Sequence, residues 1–389
     1  MGREGEALRI QDYLPADWPE AILAGRVQTG DGPSPVLVRE GRLIDVSLTA
    51  PTMADLLARP DAATVEGVDM GPIADMDFRT TWSGGDIELL SPVDLQCIKA
   101  SGVTFAVSAM ERVIEERARG DSTAAEGIRA DLGRRIGGDL SAVKPGSEQA
   151  QALKAALIAD GMWSQYLEVA IGPDAEIFTK APILSSVGWG AEVGVHPGSA
   201  WNNPEPEVVL VCDPSGRTVG ASLGNDVNLR DVEGRSALLL GKAKDNNASA
   251  AIGPFIRLFD GRFGMDDVRK AEVRLEVIGP DGFVMDGTSN MALISRDPEE
   301  LVRQAAGANH QYPDGFALYL GTMFAPVDDR GPPGLGFTHK VGDRVRVSSP
   351  KLGVLENIVT TSDKAPPWVF GVSALMRNLA QRGLLGASV

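Results

Sequence analysis

Residues 203–226 read Asn-Pro-Glu-Pro-Glu-Val-Val-Leu-Val-Cys-Asp-Pro-Ser-Gly-Arg-Thr-Val-Gly-Ala-Ser-Leu-Gly-Asn-Asp. Two β-prone apolar runs flank Asp213-Pro214-Ser215-Gly216, whose residue types favour a tight turn, so the stretch reads as a β-hairpin. Side chains alternate along a strand, so Glu205 and Glu207 share one face. A turn centred on Pro214 and Ser215 sets residue 205 opposite roughly residue 224, and Asp226 then emerges just beyond the partner strand. Three carboxylates would converge at one end of the hairpin. Such a cluster repels itself unless a cation neutralises it, and an all-oxygen set suits Mg²⁺, with Mn²⁺ or Ca²⁺ as substitutes, rather than zinc.

On spacing alone the plainer reading has the advantage: three exposed strand-end carboxylates in an acidic protein. The residues that follow weigh against it. Asn228, Arg230, Asp231, Glu233 and Arg235 come directly after the hairpin, and GKAKDNNASAAIGP runs from Gly241 to Pro254. So much polarity beside apolar strands fits a site under construction. Lys242 offers positive charge to an anionic substrate, and Asp245, Asn246 and Asn247 could orient it or support a metal's surroundings.

Working outward, the chain downstream of Tyr166 is β-rich and punctuated by Gly and Pro, with a helix near Pro298–Ala306. Upstream, VSAMERVIEERARGD has helical spacing and ends in Gly120. SEQAQALKAALIADG is opened by Ser147, with Glu148 in its first turn, and closed by Gly161. Residues of about 107–162 read as a helical insertion. Residues 1–88, with apolar runs such as Ser34–Val38 and a helix candidate at Thr52–Arg59, read as a small, mainly β accessory domain ahead of a catalytic domain over 89–389. The fold class is α+β and β-rich, with no internal repeat.

The 389 residues, 43% hydrophobic and 23% charged, suffice for a large core. A net charge of −16 argues against nucleic acid and anionic membrane as partners. The acidic opening MGREGEALRIQD is unlike a signal peptide, and no apolar run approaches a membrane span. Cys97 and Cys212 stand at unrelated positions, as expected in a reducing cytoplasm without a disulfide framework.

The ordered motifs resemble the fumarylacetoacetate hydrolase family. They are Ile177-Phe178-Thr179-Lys180, the Glu205/Glu207 pair, Asn225-Asp226-Val227-Asn228-Leu229-Arg230-Asp231, Gly241-Lys242-Ala243-Lys244-Asp245 with Gly253-Pro254, Gly321-Thr322, and HKVGDRVRVSSPKLGVLENIV from His339. The resemblance covers roughly residues 90–389. It implies a mixed β-sandwich roll, Glu205, Glu207 and Asp226 as metal ligands, Lys242 as a catalytic lysine, and Lys180 and Thr322 as substrate contacts. It also implies a homodimer or a dimer of dimers.

One departure bears on the reaction. Hydrolase members carry G-x-N-Y-x-x-H-x-x-E, whose His and Glu activate water. Here Gly102–Glu111 reads GVTFAVSAME, with Ser108 at the histidine position. Serine is a poor general base at neutral pH, so hydrolysis loses its base. His196, His310 and His339 lie outside this motif and read as structural. The stretches GVTFAVSAMERVIEERARGD, GMWSQYLEVAIGPDAEIFTK and HQYPDGFALYLGTMFAP resemble the sugar-acid dehydratase branch. That resemblance implies dehydration of a 2-keto-3-deoxy pentonate, a small anionic 2-keto acid, to 2,5-dioxopentanoate through a metal-stabilised enolate. Lys242 and Glu111 would move protons, and Thr104, Ser108 and Thr322 would bind hydroxyls or the carboxylate. Alternatives are an acylpyruvate hydrolase or decarboxylase and a noncatalytic Ca²⁺-binding structural protein.

Overall fold

The computed structural model describes residues 8–135, 143–324, 326, 328–330 and 336–386. Near the N-terminus β1 (Leu23–Thr29), β2 (Gly32–Arg39) and β3 (Arg42–Asp45) form an antiparallel meander. Its second turn uses Glu40 and Gly41, both at positive φ (52° and 72°), the mirror-image turn that suits the right-handed twist of paired strands. Helix α1 (Met53–Ala58) starts at Thr52, whose hydroxyl accepts from the backbone N–H of Asp55 while the Asp55 carboxylate accepts from that of Thr52. The strands β4 (Val68–Pro72), β5 (Phe78–Arg79), β6 (Ile87–Leu90) and β7 (Cys97–Gly102) follow.

Four helices come next: α2 (Ala106–Ala118), α3 (Ser122–Arg135), α4 (Glu148–Ala159) and α5 (Gln165–Ile171). These helices occupy 106–135 and 148–171, where a helical insertion over about 107–162 is expected; residues 136–142 lie outside the described residues. Arg119 and Gly120 both take left-handed conformations and end α2, and the Ser147 hydroxyl caps α4 by accepting from Ala150 N at 3.2 Å. These helices bury Val113, Ile114, Leu157, Tyr166 and Leu167 in a core of their own, joined by Trp201.

The remaining strands are β8 (Glu176–Ala181), β9 (Glu192–Val195), β10 (Asn202–Asn203), β11 (Pro206–Cys212), β12 (Thr218–Asp226), β13 (Asn228–Leu229), β14 (Ala250–Leu258), β15 (Glu272–Ile278), β16 (Val284–Asn290), β17 (Phe316–Tyr319), β18 (Arg344–Ser349) and β19 (Gly353–Thr361). Twelve strands form one mixed sheet whose main path is β4-β3-β2-β1-β14-β12-β11-β17-β7-β8. Leu23 of β1 pairs with Arg257 of β14, so strands β1–β6 and the hairpin belong to one continuous sheet. A five-stranded sheet, β16-β15-β18-β19-β9, packs on it. Val208 and Leu210 of β11 join Val273, Leu275, Val345 and Leu355 of the smaller sheet in one core, while Val209 and Val211 join Ile252, Ile256 and Tyr319 in another. The large sheet is thus covered on both faces at the hairpin, which is why β11 is apolar at every position rather than at alternate ones. The α+β, β-rich sandwich expected from sequence is the observed architecture.

The hairpin forms, with a different register. Glu207 pairs with Gly224 and Pro206 with Asn225, so Glu205 faces Asp226, whose N–H donates to Glu205 O at 2.9 Å, rather than residue 224. The turn spans Asp213 to Arg217, and a bulge follows between Val211 and Cys212; together they shift the register by two residues. Asp226 therefore ends the strand directly opposite Glu205, closer to the pair than the simple turn allowed.

Candidate metal centre

Glu205, Glu207 and Asp226 are 3%, 1% and 2% exposed, and one oxygen from each lies within 4.8 Å of the others. They are not solvated strand ends. Burial in company raises the cost of each charge. Glu207 shows this directly: burial first, then Asp226 and Glu205, push its carboxyl well above the usual range. Its Oε2 accepts a 2.6 Å hydrogen bond from Gly321 N. Gly321 holds φ of 96°, and a Cβ there would collide with Thr104 Oγ1, so glycine is the residue that lets this backbone amide reach Glu207.

Two lysines enter the cluster. Lys180, 0% exposed on β8, sits 2.7 Å from Asp226 Oδ1 and also donates to the carbonyls of Val227 and Lys244. Lys244 ends the short helix after Leu239 and places Nζ 2.5 Å from Glu205 Oε2 and 3.1 Å from Asp226 Oδ2. Burial raises the Asp226 carboxyl, but these two ammoniums outweigh it and hold it below the ordinary range. Lys244 is held above its ordinary range: burial works against the charge, and Asp226, Glu205 and Glu233 overcome it.

Helix α2 closes the site from the other side. Ser108, Glu111, Arg112 and Glu115 follow the i, i+3, i+4, i+7 spacing of one helical face, and all four are buried. Arg112 reaches Glu205 Oε1 at 2.5 Å with Nη2, and Glu115 (2.6 Å) and Glu233 (2.9 Å) with Nη1. Arg230 holds Glu115 (2.6 Å) and Glu111 (2.5 Å), and Arg129 grips Glu111 through two hydrogen bonds. Despite its burial, these two arginines hold the Glu111 carboxyl below the ordinary range. In the other direction, burial pushes Glu233 up to about 7. Close packing fixes the helix: Gly120 lies against the Asp231 carbonyl, where a Cβ would clash.

A narrow cleft of about 10 Å³ remains between α2 and the hairpin end, room for about one water. Ser108, Glu111, Arg112, Glu205, Arg230 and Thr322 line it. A larger cavity, about 670 Å³, lies at the opposite, turn end of the hairpin beside Pro214, Arg59 and Asp314, away from the carboxylates. The hard oxygen donors of Glu205, Glu207 and Asp226 fit Mg²⁺, Mn²⁺ or Ca²⁺.

The structure brings together most residues singled out from sequence and separates one. Thr104 is buried and donates to Leu320 O at 2.6 Å; Ser108 donates to Phe105 O at 2.8 Å; Thr322 donates to Pro206 O at 3.4 Å. Lys180 stands behind Asp226, enclosed in protein. Lys242 is exposed, and the ammonium among the carboxylates is that of Lys244. Two residues along a helix turn the side chain by about 200°, so the two lysines of Gly-Lys-Ala-Lys face opposite ways. Sequence reading also passed over Arg112, Glu115, Arg230 and Glu233 as a network. The stripe of polar residues on α2 was its visible signal, but its partners across the cleft, Glu205 and Arg230, stand 93 to 119 positions away.

Sheet order and carboxylate site together define a protein of the fumarylacetoacetate hydrolase fold with a buried carboxylate cluster that could hold a metal ion. A fumarylacetoacetate hydrolase from Exiguobacterium antarcticum superposes with a TM-score of 0.52 at 16% identity, over 88% of this chain and 100% of that one. A 2-keto-3-deoxy-D-arabinonate dehydratase complexed with magnesium and 2,5-dioxopentanoate superposes with a TM-score of 0.61 at 21% identity, over 87% and 99%. At these identities the likeness establishes the fold. Part of the chain is similar in sequence to two proteins named as sugar-acid dehydratases. It is 31% identical over 156 residues (40% of this chain, 51% of the other) to the 2-dehydro-3-deoxy-D-arabinonate dehydratase of Saccharolobus solfataricus. It is 29% identical over 200 residues (51% and 65%) to a probable 2-keto-3-deoxyxylonate dehydratase of Haloferax volcanii. The matched segments span less than two thirds of the length of these relatives. No protein-family model matches the sequence. Among the described residues no helix is long and apolar enough to cross a membrane.

Proposed function

We propose that this protein is a divalent-cation-dependent hydro-lyase that removes water from a 2-keto-3-deoxy pentonate to give 2,5-dioxopentanoate. The observation that carries the reading is the hairpin end: three buried carboxylates with two ammoniums against them, Glu205 lining the cleft, and on the cleft wall Ser108, whose hydroxyl is tied to Phe105, where a hydrolase needs an imidazole. None of the three histidines lines it. The relatedness to two proteins named as dehydratases of this substrate class supports the same reading.

Loss of a C3 proton and departure of the C4 hydroxyl as water leave a C3–C4 double bond conjugated with the 2-oxo group. Transfer of hydrogen from C5 to C3 then gives the C4–C5 enol, and movement of its hydroxyl proton to C4 gives the aldehyde. Glu205, Glu207 and Asp226 would hold Mg²⁺, with Mn²⁺ or Ca²⁺ as substitutes, which supplies Lewis acidity toward the 2-keto acid and offsets negative charge on the ketone oxygen. Lys180 and Lys244 fix the carboxylate oxygens in place. Glu111, kept ionised by Arg129 and Arg230, faces the cleft as a proton acceptor. Ser108 and Thr322 offer hydroxyl oxygens to the substrate's own hydroxyls, and Thr104 buttresses Gly321. Lys244 takes the place in this scheme that the sequence assigned to Lys242. The enzyme would work in the reducing cytoplasm, where its two free cysteines are stable, as a homodimer or a dimer of dimers.

The test is formation of 2,5-dioxopentanoate from the D-xylonate-derived and D-arabinonate-derived keto acids, with Mg²⁺ and with chelator, beside an acylpyruvate. Dehydration that chelator abolishes is expected. Full activity without the cation removes the metal from the scheme, cleavage of the acylpyruvate alone makes the protein a hydrolase, and bound Ca²⁺ with no turnover makes the site structural.

A further inference from the structure

Arg112 is the one cation of the cleft that comes from α2 and touches a hairpin carboxylate. Arg112 is 8% exposed, and its guanidinium lies 2.5 Å from Glu205 Oε1 and joins Glu205 to Glu115 and Glu233. The other oxygen of Glu205 is held by Lys244, so both oxygens of a candidate ligand are engaged by protein cations. A divalent ion recruiting Glu205 competes with Arg112 for the same oxygen, because two cations beside one carboxylate oxygen repel. The cleft has room for about one water, so a five-carbon acid also needs the contact between α2 and the hairpin to change.

We propose that Arg112 is a specificity-determining residue with two exclusive partners: Glu205 when the cleft is closed, and the carboxylate of a 2-keto acid when Glu205 turns to the cation. The planar fork of arginine matches a carboxylate with two parallel hydrogen bonds, which Lys180 and Lys244, already engaged with Asp226 and Glu205, do not offer. Glu115 and Glu233 keep the guanidinium at the mouth of the cleft while it exchanges partners. Neutralising one negative charge on the acid also rejects the uncharged analogue, since an amide would leave the guanidinium with an incomplete set of acceptors.

The substrate half of this inference rests on the 2-keto acid reading above, so the experiment measures binding rather than turnover. Mn²⁺ affinity of the full chain is measured by titration calorimetry for the wild type, Arg112→Gln and Arg112→Lys, followed by binding of pyruvate and of pyruvamide to the Mn²⁺-loaded proteins. Arg112→Gln is expected to bind Mn²⁺ more tightly, on the order of tenfold, because a competing cation is gone. Its preference for pyruvate over pyruvamide should fall by about tenfold or more, and Arg112→Lys should restore part of that preference. A residue with a merely structural role would weaken both ligands together. Weaker or unchanged Mn²⁺ binding in folded Arg112→Gln overturns the competition, and an undiminished pyruvate preference overturns the carboxylate role. Should Arg112→Gln fail to fold, Arg112→Lys decides: a preference equal to the wild type's overturns the role of the fork, and a reduced one supports it. Failure of the dehydration assay with these binding results intact would fault the assigned reaction and leave Arg112 in place.

Discussion

Oε2 of Glu205 lies 2.5 Å from Nζ of Lys244, and both side chains are buried, whereas Lys242 two residues earlier is exposed. The pair ties the carboxylate cluster to the short helix that follows the polar loop. Lys244→Met removes a charge that two ligand carboxylates share, and it should lower kcat/KM by roughly 10²–10³-fold. Lys242→Met should leave both activity and thermal midpoint at wild-type values. Steady-state kinetics and a melting curve on the two variants decide which lysine belongs to the site.

Glu207 accepts from Gly321 N at 2.6 Å and stands closest to full burial among the three carboxylates. Glu207→Gln keeps the size and loses the charge. In the wild type, Mg²⁺ at 100 times its dissociation constant should stabilise the fold by about 2.7 kcal/mol, visible as a rise in Tm that chelator reverses. In Glu207→Gln that rise should be absent, and so should activity. A variant that still responds to Mg²⁺ would place the ion elsewhere.

Gly224 pairs with Glu207 across the hairpin, and a Cβ there would run into the Tyr319 ring and Val209. Tyr319 has no freedom to retreat: it is wholly buried, and its hydroxyl donates to Ala251 O at 2.7 Å. Gly224→Ala should therefore cost roughly 1–3 kcal/mol in urea unfolding. Because the strand end carries Asp226, Mg²⁺ affinity should fall with it. A neutral substitution would mean that the strands part without strain.

His339 is buried, with Nδ1 3.0 Å from Asp343 Oδ2; a carboxylate only accepts, so Nδ1 carries the hydrogen. Burial lowers the imidazole below its usual range, against the pull of Asp343. The unfolded chain thus takes up a proton near pH 6.5 that the folded chain refuses, and stability must fall as pH drops through that window toward the lower folded value. Asp343, burial notwithstanding, is lowered by His339 and Arg330, and it adds a loss of the same sign at still lower pH. Urea midpoints measured from about pH 7 to about pH 5 should decline for the wild type and flatten for His339→Gln. A wild-type profile that is flat or rises on acidification would contradict the assignment.

The hairpin, the helix stops at Gly120 and Gly161, the N-cap at Ser147 and the three candidate ligands were legible in the linear chain, because each depends on residue type and short spacing. Alternation alone put Glu205 and Glu207 on one face. The register was not legible, since a bulge and a five-residue turn give no stronger signal than the two-residue turn they replace. Nor was the choice of lysine: Gly-Lys-Ala-Lys offers two ammoniums at nearly opposite helix faces, and only packing against Phe178 and the carboxylates selects Lys244. Arg112, Glu115, Arg230 and Glu233 read as ordinary charges until α2 is laid across the hairpin end, where burial removes water as their partner and leaves each with the others. Local chemistry in the sequence determined which groups could bind a cation and where strands and helices begin. The tertiary structure alone decided which charges are denied solvent, and so which of them form the site.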